Sequence, residues 1–118
     1  MATVYVGSAR GDERGKAHGG KSGDQKKGKE VSTQAWYKHS KGWRVIRPVS
    51  TEAAAKIAMQ MQAACDTNLL GYDQWQRDTL LKAVQGKGYD IRKLDKAVET
   101  DCSALVRVCC AYAYGHDI

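Results

Sequence analysis

Residues 7–30 read GSARGDERGKAHGGKSGDQKKGKE. Glycine recurs throughout, lysine and arginine outnumber the acids, and no apolar residue returns with the period of a strand or a helix. Such a segment predicts a long mobile loop, and loops of this length inside a compact domain are functional or disordered. The core is thereby confined to the short β-like run TVYV at 3–6 and to the chain after residue 30. With 118 residues, 42% of them hydrophobic, enough apolar surface remains for one modest core, so 1–118 is expected to be a single domain.

After the loop, EVSTQAWY (30–37) and GWRVIRP (42–48) are rich in aromatic and β-branched residues and are separated by KHSK. They predict a hairpin that ends at Pro48. The pattern then turns helical. Ser50 or Thr51 is a cap, Glu52 lies in the first turn, and Ala54, Ile57, Met61, Ala64 and Cys65 form one apolar face running to about Asn68. A second helix is predicted over 73–85, capped by Asp73, with Leu80, Ala83 and Val84 inward and Gly86 as terminator. A short third, Ile91 to Val98, is capped by Asp90. The last starts near Thr100 or Asp101, buries Leu105, Val108, Cys109 and Tyr112, and ends at Gly115. Loop and strands followed by helices predict an α+β fold.

No apolar run is long enough to span a bilayer, and MATVYVGSARGDERG has no apolar region behind a basic start, so a soluble chain without an export signal is expected. Cys109 and Cys110 are adjacent and Cys102 lies on the same predicted helix, a layout poorly suited to bridging, so reduced thiols are expected. The net charge of +6 suits an anionic partner, whether nucleic acid, a membrane surface or an acidic wall polymer.

Cys102 falls in the first turn of the last helix, where unpaired N–H groups and the positive end of the helix dipole favour an anion. The N–H groups of Cys102 and Ser103 are candidate donors to an oxyanion. The alternative is a small residue filling the core, since free cysteines are among the most buried residues. Cys65, Cys109 and Cys110 fit that second role. A thiol nucleophile wants a base. His116 lies fourteen residues beyond Cys102, about 21 Å along a continuous helix, and is excluded. His39 sits in the presumed hairpin turn, and His18 in the glycine-rich loop is the remaining candidate.

The other patterns are weaker. GKAHGGKS (15–22) satisfies the spacing of a phosphate-binding loop but lacks the strand before and the helix after it. No C-x-x-C pair supports a zinc site, no cofactor is expected, and Arg10-Gly11-Asp12 reads as a chance string. Trp36, Tyr37 and Trp43, set among lysines, either stack on bases or sugars or pack on the core.

Taken in order, GGKSGDQKKGKEVSTQAWY, GWRVIRP, GYDQWQRDTL and ETDCSALVRVC resemble the N-terminal part of phage endolysin catalytic domains related to the NlpC-type cell-wall peptidases, a papain-like superfamily. SGDQ-x-x-GKEV, GYDQ-x-x-R and DCSALV are the most specific blocks. The resemblance implies a peptidoglycan hydrolase, an amidase or endopeptidase, in which Cys102 attacks an amide of the bacterial wall to form a thioester. It implies that Asp101 shapes the helix start and that Asp24 and Gln25 of SGDQ and Tyr72, Asp73 and Gln74 of GYDQ flank the substrate cleft. It further implies a C-terminal sheet carrying the catalytic histidine, and that sheet is missing here. The chain then corresponds to a front half with uncovered apolar helix faces. Its partners would be peptidoglycan and a second polypeptide supplying the sheet and base, with His18 the in-chain substitute. An inactive or split-enzyme chain that binds wall material or protein is the alternative, and a nucleic-acid binder ranks last. An endolysin would be made in the host bacterial cytoplasm and reach the wall through a membrane lesion made by another protein.

Overall fold

The computed structural model describes residues 3–26 and 28–117. Strand β1 (Tyr5–Ala9) pairs antiparallel with β2 (Val31–Ala35), in register from Tyr5 opposite Ala35 to Ala9 opposite Val31. The glycine-rich segment is therefore the connection of a wide hairpin. This corrects the expected hairpin between 30–37 and 42–48, since residues 36–50 form no strand. Burial explains the choice. Ala9 and Val31 enter the core, whereas Val45, Ile46 and Val49 remain exposed.

The connection is also less free than its composition suggests, because three buried acids organise it. Asp12 accepts from the N–H groups of Arg14 and Lys16 (both 2.8 Å) and from the Arg14 guanidinium. Asp24 accepts from Lys29 and Glu30, and Glu30 in turn accepts from the N–H of Tyr72 at 3.0 Å. The loop's N–H groups thus find partners in carboxylates supplied by the loop itself.

Helix α1 (Thr51–Asp66) begins where Ser50 accepts from the N–H of Ala53, and buries Ala53, Gln60, Ala64 and Cys65. Ile57 and Met61 pack at the margin of the same core. Gln60 is an unexpected inward residue. It donates to Asp90 and accepts from the N–H of Ile91, so its amide is satisfied on both sides.

The predicted second helix is broken into pieces. Asp73 caps a 3₁₀ turn at Gln74–Gln76, α2 spans only Thr79–Val84, and a further 3₁₀ turn ends at Gly88 with φ of 68°, two residues beyond the expected terminator. Asp90 caps as expected, but Ile91–Lys93 is a single 3₁₀ turn, and the residues after it lead into a strand. That strand, β4 (Val98–Thr100), pairs in parallel with β3 (Leu70–Tyr72). All six residues of the pair are buried, so neither strand shows alternation in sequence.

Helix α3 (Cys102–Tyr114) is capped by Asp101 and ends at Gly115 with φ of 79°. It buries Leu105, Val108, Cys109 and Ala111, while Tyr112 is half-buried. Together α1, α3, the two strand pairs and α2 enclose one α+β core built on Leu70, Leu80, Val84, Ile91, Leu105 and Val108. On the outer side of α1 and α3, Ile46, Pro48, Ile57, Val106, Cys110 and Tyr114 line an open apolar trough of about 440 Å³. Among the described residues no helix is long and apolar enough to cross a membrane.

Candidate active site

The parallel pair positions the site. Both strands end at the same side, and the N–H of Asp73 extends the ladder by donating to Thr100 at 3.0 Å. Each strand is followed at once by an aspartate in extended conformation that caps a helical turn. Asp73 accepts from Trp75 (2.8 Å) and Gln76 (3.3 Å), and Asp101 accepts from Ala104 (2.8 Å). A short side chain at the cap takes the otherwise unpaired N–H groups of the first turn, which is why a strand can pass directly into a helix here.

Cys102 is the first residue of α3 and is exposed, which removes core filler as its role. The contrast with its neighbours is sharp. Cys65 and Cys109 are buried, and burial pushes their thiols up to about 11 and about 12, so both are inert. Asp101 leaves the N–H groups of Cys102 and Ser103 without an acceptor among the described residues. Its carboxylate also accepts from the Ser103 hydroxyl and pairs with Arg77, both at 3.1 Å. Although burial opposes ionisation, those donors hold the Asp101 carboxyl below the usual range. The cap is thus a fixed anion that orients the first turn.

The glycine-rich loop is stitched to this same end. Gly19 donates to the second oxygen of Asp73 at 3.0 Å, and Gln74 donates to the carbonyl of Ala17 at 2.8 Å. His18, held between those two bonds, stacks flat on Trp75 with ring centroids 3.5 Å apart and planes 9° from parallel. The chain therefore brings the histidine of its glycine-rich loop to the turn that adjoins the start of α3. His116 lies beyond the far end of α3 and His39 packs near Trp43, so neither joins this end. A groove of about 330 Å³ runs beside the helix start, lined by Arg77, Asp78, Leu81, Ser103, Ala104 and Arg107. A larger hollow of about 570 Å³, lined by Met59, Gln62, Ala63, Asp66, Thr67, Ile91, Arg92 and Leu94, contains no cysteine or histidine.

The residues expected at the cleft divide by exposure. Gln25 and Gln74 are exposed. Asp24, Tyr72, Asp73 and Asp101 are buried and spend their polar atoms mainly on neighbouring backbone and side chains. The phosphate-loop spacing has no matching structure: no helix follows Ser22, and the N–H groups of Lys16 and Lys21 are taken by Asp12 and Glu13.

Sequence reading missed Glu99. It sits in β4 at 1% exposure, opposite Gly71, and a Cβ at Gly71 would lie 2.6 Å from its Oε2 and 2.3 Å from the carbonyl oxygen of Gly23. Burial, followed by the nearby Glu30 and Asp73 carboxylates, pushes Glu99 up to about 8. Glu30 is raised in the same way, by burial first. One oxygen of each lacks a hydrogen-bond partner. Glutamate within a three-residue strand carries no signal that could have marked it as buried.

A family model described as an endolysin-like domain matches residues 6–117. No curated protein and no solved structure matches the chain.

Proposed function

The chain belongs to the endolysin-like domain family, and on that footing we propose that it is a peptidoglycan hydrolase whose nucleophile is the Cys102 thiol. The observation that carries this reading is the exposed thiol at the first position of an Asp-capped helix, beside two N–H groups without acceptors among the described residues. In the proposed reaction the Cys102 sulfur, its proton passed to a base, bonds to the carbonyl carbon of a wall amide. The N–H groups of Cys102 and Ser103 receive the developing oxyanion. Collapse expels the amine, which takes up the proton, and leaves a thioester that water cleaves to free acid and thiol. Gln25 and Gln74 contact the substrate. Asp24, Tyr72, Asp73 and Asp101 hold the surrounding backbone in place.

The base is His18, carried to this end by the Asp73 turn, or a histidine of a second polypeptide seated on the apolar trough. Replacing Cys102 by Ala should abolish the clearing of purified bacterial walls without altering the circular dichroism spectrum. Undiminished clearing by that variant would refute the assignment. A second reading, a binding module without catalysis, draws on the absence of any imidazole hydrogen-bonded to Cys102 among the described residues. It predicts no clearing by either chain and unchanged wall binding by the variant.

A further inference from the structure

Residues 36–47, WYKHSKGWRVIR, carry Lys38, Lys41, Arg44 and Arg47, and no acid occurs between Glu30 and Glu52. Four positive charges on one segment are a large share of a net +6. Of the five arginines elsewhere, four pair with an acid, Arg14 with Asp12, Arg77 with Asp101, Arg92 with Asp90 and Arg107 with Asp117, while Arg10 donates to the Gln34 amide. The four cations of residues 36–47 are exposed and have no carboxylate partner among the described residues.

The same segment gathers its rings outside the core. Trp36 packs on Trp43 at 5.1 Å with planes tilted by 37°, and Tyr37 and His39 meet Trp43 edge-on at 5.3 and 5.4 Å. The platform is built in advance. The Trp43 indole donates to the carbonyl of Tyr37 at 2.7 Å, His39 accepts from the N–H of Lys41 at 3.0 Å, and Gly42, at φ of 78°, closes the turn. Even so, Trp36, Tyr37 and Trp43 remain 47%, 42% and 40% exposed. An apolar platform on a segment that carries four unpaired cations suits a ligand that alternates flat C–H faces with anionic groups. A preformed surface loses little on ordering.

We propose that residues 36–47 are a docking site for a phosphate-bearing glycopolymer of the bacterial wall, sugar faces lying on the rings and phosphates on the cations. The rings and Lys41 and Arg44 lie outside both the turn at Cys102 and the apolar trough, whose lining includes Ile46 and Arg47, and the choice of a wall polymer rests on the hydrolase reading. A single-stranded nucleic acid offers the same two chemistries, and membership of the endolysin-like domain family is what favours the wall polymer.

The test uses the full chain carrying Cys102→Ala, so that binding does not depend on cleavage. Sedimentation with purified walls is compared before and after hydrofluoric acid has removed their phosphodiester-linked polymers. Binding should weaken by about tenfold on stripped walls, and by a similar factor for Trp43→Ala or for Lys41→Gln with Arg44→Gln. It should also weaken as salt is raised. The double charge variant alters only exposed side chains and guards against misfolding in Trp43→Ala. With Cys102 intact, either variant should cleave small soluble wall fragments at the unaltered rate. Equal binding to both wall preparations, variants that bind as tightly as their parent, or tighter binding to single-stranded nucleic acid at equal salt would each overturn the proposal. Polymer-dependent binding in a chain that proves unable to hydrolyse walls would uphold the docking site and remove the hydrolase.

Discussion

Glu99→Gln should flatten the decline of stability between pH 5 and pH 8. The side chain is 1% exposed in β4, one of its oxygens lacks a partner, and burial beside Glu30 and Asp73 moves its carboxyl from 4.5 to about 8. Between those two values the folded chain holds a proton that the unfolded chain has released. Stability from this group is therefore fully present below pH 4.5 and is lost as pH rises through about 8. At about 1.4 kcal/mol per pH unit, the ionisation cost at alkaline pH has a ceiling of about 5 kcal/mol. Water entry and relaxation around the new charge reduce it, so a differential effect of about 2 kcal/mol is the working expectation.

Asp12 and Asp90 do not interfere. Burial opposes ionisation of Asp12, but hydrogen bonds from Lys16 and Arg14 hold it at about 2. The Arg92 hydrogen bond chiefly holds Asp90 at about 2. Their contributions are lost only as pH falls from 3.8 toward 2, below the window of Glu99. Glu13, Glu30 and Asp73 act on Glu99 and are common to both proteins, and because Glu99 is itself neutral in the folded chain below about pH 8, its replacement leaves the charge beside Glu30 unchanged there. The assay is urea unfolding followed by tryptophan fluorescence at unit steps from pH 5 to pH 9. The readout is the slope of the stability difference, because a glutamine does not replace the acid's hydrogen bonds at equal cost. A difference between the two proteins that stays constant across that range would refute the reasoning.

Two other outcomes follow from the geometry. Gly71→Ala would place a Cβ 2.3 Å from the Gly23 oxygen and 2.6 Å from Glu99 Oε2, so it should lower stability by about 2–3 kcal/mol, measured by urea unfolding. Treatment of the native protein with a thiol alkylator, followed by peptide mapping, should label Cys102 first and leave Cys65 and Cys109 unmodified until urea exposes them. Early modification of Cys109 would contradict its burial.

What sequence alone determined was local. Ser50 and Asp101 start helices because a short acceptor satisfies the first-turn N–H groups, and Gly115 ends one because it adopts positive φ without steric cost. Those signals lie within a few residues of one another, as does the apolar period that set the inner faces of α1 and α3. They sufficed to place Cys102 at a helix start and to assign the α+β class. Tertiary structure decided the pairings and the burials. Val31–Ala35 could pair with either flank, and it pairs with Tyr5–Ala9, whose Ala9 end enters the core, whereas Val45 and Ile46 stay exposed. The strands Leu70–Tyr72 and Val98–Thr100 are too short and too completely buried to show a period. Exposure of Cys102, burial of Glu99 and the arrival of His18 at Trp75 depend on contacts between segments far apart in the chain. A side chain's surroundings are set by the neighbours that folding delivers, and no local pattern encodes them.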